Sequence, residues 1–312
     1  MIKILIIGLG SIGIRHFESI YYSKNKTHID CLDVSESVLN KIKIYLEDKK
    51  CVHKIRVFND INRIDKNYDI LIHSTNSNVR IKTLQLILER SNIKFAILEK
   101  VLCQSLEGLK KIKLISNSFK KCWVNTPMHE WDIYNKIKKQ ININDVSKIE
   151  FNNCEGMACN TIHKIDFVSS WKNQLPDRID TSNLGEWYDA KRKGFFDVYG
   201  EMKVIYPDKT ELILRSYKDK SDYHCLISEN NQKWILNEKD EKFSSTSGYK
   251  ETGVVEYQSE LTQKIINKIL DNENCNLPDV DWSIKCHEVL IVSLLSYWNS
   301  YYKVNHSTLP IT

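Results

Sequence analysis

Residues 3–16 read KILIIGLGSIGIRH, and this stretch decides the fold. Lys3 to Ile7 is a short, β-branched-rich run that ends on glycine, which predicts a buried parallel strand. Gly8-Leu9-Gly10-Ser11-Ile12-Gly13 is a G-x-G-x-x-G that follows this strand directly and opens a helix running to about Tyr22. In that setting Gly8 permits a tight turn and Gly10 lets the backbone approach a pyrophosphate. Gly13 allows the helix to pack close on the strand. The N–H groups at Ser11, Ile12 and Gly13 sit at a helix N-terminus, whose partial positive charge suits phosphate. Asp33 ends the next predicted strand, where a carboxylate can accept from both ribose hydroxyls and would repel a 2′-phosphate. The expected cofactor is therefore a dinucleotide, NAD in preference to NADP, with lysines such as Lys41 leaving NADP open.

Outward from the loop, strands and helices alternate. Predicted strands at Ile29–Leu32, Cys51–Phe58, Asp69–His73, Phe95–Leu98 and Cys122–Asn125 are separated by predicted helices at Val34–Lys49, Arg80–Arg90 and Leu106–Ser116. That spacing predicts βαβ units and a doubly wound parallel sheet. The texture changes near residue 145. A strand at Lys148–Asn152 and a helix at Ile162–Trp171 are followed by two predicted hairpins. One turns at Pro207-Asp208-Lys209 between Glu201–Tyr206 and Thr210–Tyr217. The other turns at Glu229–Gln232 between Tyr223–Ile227 and Lys233–Asn237. Helices at about Val254–Asp271 and Asp281–Tyr302 close the chain. The expected fold class is α/β: an N-terminal Rossmann domain, residues 1–122, then an α+β domain, residues 123–312, with a largely antiparallel open sheet and C-terminal helices.

Composition narrows the function. The 312 residues are 42% hydrophobic and 27% charged, which fits a soluble globular protein of two domains. The longest mostly apolar run, Val289 to Trp298, is about half of the ~20 residues a membrane helix needs, so no membrane partner is expected. The net charge of +5 comes from lysines spread along the chain, with no basic block interleaved with aromatics, so no nucleic-acid partner is expected either. Nine cysteines, without a C-x-x-C pair, argue against a disulfide framework and a structural zinc site, and favour a reducing cytoplasm. No metal is expected.

Four stretches give the sequence a resemblance to the Gfo/Idh/MocA family of NAD(P)-dependent oxidoreductases. Gly8 to His16, GLGSIGIRH, is close to the family's opening G-x-G-x-x-G-x-x-H. Asp69 to Asn76, DILIHSTN, is similar to the strand and loop beneath the nicotinamide ribose. Glu99-Lys100-Val101-Leu102 resembles E-K-P-L, and His163-Lys164-Ile165-Asp166 resembles H-x-x-D beside the substrate. Their order and spacing run from the N-terminus to the early second domain, about half the chain. Three positions depart from the family pattern. Val101 replaces a proline that is often cis, Cys159 replaces an acid, and Arg80 stands where a histidine is expected.

The resemblance implies hydride transfer between a nicotinamide and a carbinol or carbonyl of a sugar or nucleotide sugar, in surface-polysaccharide or amino-sugar metabolism. It also implies a homo-oligomer. Lys100 would stabilise the reacting oxygen and His163 would exchange its proton, with Asp166 contacting substrate or orienting His163. Ser74, Thr75, Asn76, Glu99, Lys100 and Asn125 would complete the cofactor site. Asn160 could donate an amide to substrate. Trp187, Lys191 and Arg192, in EWYDAKRKGF, either hold an anionic sugar or form a solvated basic turn. The alternative function is a non-catalytic NAD(H)-binding sensor or scaffold of the same fold, motivated by Val101 and Cys159.

Overall fold

A computed structural model of the chain describes residues 1–47, 51–218 and 224–312. The chain divides into two compact units. Unit one comprises residues 1–103, 110–125 and 256–280, and unit two comprises residues 104–109, 126–255 and 281–312.

Unit one is built on six strands: β1 (Ile2–Ile7), β2 (Thr27–Leu32), β3 (Lys54–Phe58), β4 (Asn67–His73), β5 (Asn92–Glu99) and β6 (Lys121–Asn125). They pair in the order β3-β2-β1-β4-β5-β6, and every pairing is parallel. β1 and β4 adjoin each other although far apart in sequence, so the strand order reverses at their C-terminal ends, where such sheets bind ligands. Strands covered on both faces favour near-continuous apolar runs. Ile4 to Ile7 and Ile70 to Ile72 are accordingly buried.

The helices of this part of the chain are α1 (Ser11–Tyr21), α2 (Glu36–Glu47), α3 (Ser77–Leu88) and α4 (Leu106–Ser116), the last divided between the units. The Lys49 end of the expected second helix lies outside the described residues. α3 starts at Ser77, a turn earlier than the spacing from Arg80 suggested, because Asn76 supplies the extended residue that starts it.

Unit two carries α5 (Asp132–Gln140), β7 (Val146–Phe151), α6 (Met157–Lys172), β8 (Arg178–Asp180), β9 (Leu184–Asp189), β10 (Phe196–Ile205), β11 (Glu211–Ser216), β12 (Cys225–Glu229), β13 (Gln232–Asn237), β14 (Lys242–Ser245) and β15 (Lys250–Thr252). The sheet runs β15-β14-β13-β12-β7-β11-β10-β8, with β9 also on β10. Among the described residues only β7 and β11 pair in parallel in this sheet. Both expected hairpins form. The first turns through Lys209 at positive φ, and the second through Asn230 at positive φ. Tyr223, the expected start of β12, lies outside the described residues. α6 packs on β10 and β11.

The two closing helices are α7 (Gln258–Asn272) and α8 (Val280–Tyr302). α7 packs on α1 within unit one, although the sequence had placed it in the second domain. The reason is polar as well as apolar: Thr262 and Gln258 on α7 bond to His16 and Asn125. Among the described residues no helix is long and apolar enough to cross a membrane.

Candidate functional site

At the C-terminal end of β1 the three glycines of the loop do different things. Gly8 lies at φ +83, and a Cβ there would come within 2.8 Å of the Thr75 amide nitrogen. A Cβ on Gly13 would meet the Gly8 carbonyl oxygen at 1.9 Å. Packing inside the protein therefore demands both. Gly10 has an ordinary φ of −61°, and a Cβ built on it meets nothing within 4 Å. The fold itself does not need a glycine there, whereas a group pressed against the backbone from outside would. Gly10 precedes α1, whose first turn holds no acidic residue. Among the described residues no side chain accepts from the amides of Ser11, Ile12 or Gly13.

Asp33 stands beside this loop. Its Oδ2 accepts from the Leu9 amide at 2.6 Å and its Oδ1 from Ser35 at 2.8 Å. The carboxylate thus fixes the loop as well as presenting its remaining lone pairs. Ser74, expected among the cofactor contacts, turns its hydroxyl inward and donates to the Gly8 carbonyl at 2.6 Å. It supports the loop from below. Thr75 is half-buried, and its hydroxyl lies 3.3 Å from Nδ1 of His73. Burial first, and the Arg80 charge second, hold the His73 imidazole well below its ordinary pKa.

The end of β5 carries Glu99 and Lys100. Glu99 is buried and accepts from Nε2 of His16 at 2.9 Å and from the Asn125 amide. Nδ1 of His16 reaches Thr262 at 2.8 Å, and Asn125 also donates to Gln258 at 3.0 Å. Burial alone would raise the Glu99 carboxyl. The His16 bond, the Asn125 amide and the Lys100 charge outweigh it and hold it below the usual carboxylate range. Glu99 is thus an internal anchor joining α1, β5, β6 and α7. Asn125 takes part with its amide nitrogen only. Its Oδ1 is buried without a hydrogen-bond partner, at the carboxyl edge of the sheet. Lys100 follows, half-buried, and the Lys100–Val101 peptide bond is cis although residue 101 is not proline.

In unit two, α6 begins six residues before His163, so His163 lies in its second turn instead of opening it. The sequence placed the start late because Met157-Ala158-Cys159-Asn160 follows a glycine with no capping side chain beside it. The cap comes from a distant strand. Asp197 on β10 accepts from the Ala158 amide at 2.7 Å. Asp166 is fully buried and accepts from Ser283 on α8 at 2.6 Å and from Thr126 at 3.4 Å. The Asn160 amide donates to the Glu155 carbonyl at 2.9 Å, closing the loop ahead of the helix.

Trp187, Lys191 and Arg192 are not assembled as one cluster. Trp187 is buried with its ring against Trp298 at 4.9 Å and Tyr297 at 6.2 Å, because β9 turns that face toward α8. Lys191 and Arg192 stand exposed in the turn between β9 and β10. Two further polar residues escaped the sequence, Thr262 and Asp197, and Arg80 was marked there only as a departure from the family pattern. Arg80 alone had a signal, since Ser77, Arg80, Leu84 and Ile87 recur at helical spacing on the buried face of α3.

No family model matches the sequence, and no curated protein is similar enough in sequence to count as a match. Solved structures do match over nearly the whole chain. UDP-N-acetylglucosamine 3-dehydrogenase GnnA from Acidithiobacillus ferrooxidans superposes with a TM-score of 0.71 at 8% identity, covering 95% of this chain and 97% of that one. Biliverdin reductase from Synechocystis, solved with biliverdin and NADP+, gives 0.72 at 11% identity, covering 95% and 98%. The transcriptional regulator Gal80p from Kluyveromyces lactis gives 0.71 at 13% identity, covering 99% and 94%. At such identities the likeness is one of fold: the chain shares the two-domain fold of these proteins.

Proposed function

We propose that the chain is a nicotinamide-dependent oxidoreductase acting on a carbinol or carbonyl carbon of a sugar or nucleotide sugar, in surface-polysaccharide or amino-sugar metabolism. The observation that carries this reading is Gly10, a glycine that its own protein leaves facing open space ahead of an uncapped helix. A pyrophosphate is the ligand that this loop, the free amides and Asp33 would fit. The unpartnered Oδ1 of Asn125 is an acceptor suited to an amide N–H, which nicotinamide carries. NAD fits Asp33 better than NADP does, although a similar fold is known with NADP+ bound.

The dinucleotide would supply the hydride acceptor, or the donor in the reducing direction. Lys100 would donate to the reacting oxygen and offset its developing negative charge. His163 would take the hydroxyl proton, imidazole being the side chain that exchanges protons near neutral pH. Asp166, enclosed with Ser283, would hold its stretch of α6 in place. The sugar class rests on the GnnA likeness and on the four stretches resembling the family.

Titration with NADH and NADPH, followed by fluorescence, tests the cofactor, and a panel of nucleotide sugars tests turnover. NADH binding plus oxidation of at least one nucleotide sugar is expected, with Lys100→Ala and His163→Ala each slowing turnover by about 100-fold or more at near-constant cofactor affinity. Failure to bind either dinucleotide would overturn the reading. The likeness to Gal80p favours a second one, a dinucleotide-binding regulator without turnover. Tight NADH binding with no oxidation or reduction across the whole panel would select it.

A further inference from the structure

Arg80 occupies the first turn of α3 and is among the largest fully buried side chains of the described residues. Its guanidinium donates to the carbonyl oxygens of Thr75 at 2.5 Å and Leu102 at 3.1 Å, and to that of Val101. These carbonyls belong to two turns, one following β4 and one following β5, that are remote in sequence and adjacent at the carboxyl edge of the sheet. Thr75 and Asn76 lie on the first turn, and Lys100 opens the second.

We propose that Arg80 is a positioning residue: its planar guanidinium clamps the 75–76 turn to the 100–102 turn and so sets where Lys100 and Asn76 stand toward the cofactor. This rests on the nicotinamide reading above. The chemistry of the side chain supports it. A guanidinium carries five N–H donors in a rigid fork and no acceptor, so it can serve several carbonyls at fixed angles, which an imidazole with two ring nitrogens cannot. A lysine would offer a point charge and hold fewer carbonyls at defined geometry. Burial makes the clamp stiff, because water is not there to replace a lost donor. The same charge helps to keep the neighbouring His73 neutral.

The test uses the full-length wild type, Arg80→Lys and Arg80→Ala, with three measurements on each: thermal midpoint, NADH affinity by fluorescence, and amide hydrogen exchange of peptides spanning 74–77 and 100–104. In Arg80→Ala both segments should exchange faster together while the distant β2–β3 peptides stay at wild-type rates. NADH Kd should rise tenfold or more, and millimolar ethylguanidinium should restore part of it. Arg80→Lys, which keeps a buried cation, should melt near the wild type yet bind NADH several-fold more weakly. A folded variant with wild-type exchange in either segment, or NADH affinity within twofold of wild type in both variants, overturns the clamp. If Arg80→Ala does not fold, Arg80→Lys decides alone by the same criteria. A wild type that binds no NADH overturns the nicotinamide reading instead, and the exchange of the two segments still decides whether Arg80 joins them.

Discussion

Two helices begin behind a glycine, and their first turns have opposite fates. α1 starts behind Gly10 with no carboxylate over its amides, in front of open space. α6 starts behind Gly156, at positive φ, and the space ahead of it is taken: the Asp197 carboxylate binds the Ala158 amide at 2.7 Å. Both helix starts attract an anion for the same electrostatic reason. One has its anion built into the sheet beside it, and the other is left for an anion from outside. A glycine before a helix is therefore ambiguous by itself. What separates a ligand cradle from a structural cap is whether the protein fills the space.

Four substitutions bear on that contrast. Gly13→Ala should be the most damaging, costing roughly 3 kcal/mol or more, because its Cβ would meet a backbone carbonyl that cannot step aside. Thermal or urea unfolding reads this directly, and a loss under about 1 kcal/mol would mean the loop is not packed as described. Next comes the anion that unit one does bury. Glu99 is held below the usual carboxylate value, so it contributes stability above about pH 4.5 that is lost as pH falls through the folded value. Glu99→Gln should lower stability near neutral pH by about 2 kcal/mol and flatten the acid limb of the urea profile. An unaltered profile would remove Glu99 from its anchoring role.

Asp197→Ala strips the cap from α6 and leaves two buried amides, those of Ala158 and Val198, without their acceptor. The expected cost is about 1–2 kcal/mol by chemical denaturation, with NADH binding unchanged. Gly10→Ser should change stability least, by no more than about 0.5 kcal/mol and in the favourable direction, since serine is the better capping residue. Its hydroxyl would also occupy the amides offered to phosphate. NADH affinity should accordingly fall at least tenfold in a protein that melts no lower. Gly10→Ser binding NADH as well as the wild type would erase the distinction between the two helix starts.

Much of unit one was legible because a doubly wound sheet writes itself locally. The central strands β1, β4 and β5 carry unbroken apolar runs, and the turns after β1 and β4 carry glycine or small polar residues. The alternation of β1 through β6 with their helices followed from that, and so did the loop at Gly8. The network around Glu99 was not legible. Its partners Gln258 and Thr262 arrive from α7, far along the chain, and nothing local to either marks them as neighbours of His16. In unit two the short strands β8, β14 and β15 escaped notice because three or four residues give too few alternations to stand out. The start of α6 escaped because its cap lies on another strand.

Trp187 and Arg80 show the same limit from both sides. A tryptophan beside cations was open to two readings, a ligand platform or a solvated basic turn, and tertiary packing against Trp298 drew its ring into the core. An arginine read as a mere departure, and burial made it the donor to three carbonyls of two turns. By itself the sequence determined the parallel sheet, the hairpins and the glycine loop, since strand burial and turn chemistry depend on residues within a few positions of one another. Only the tertiary structure decided which glycine is required by the protein and which faces open space. Steric room and hydrogen-bond partners belong to neighbours in space, and the chain order does not encode them.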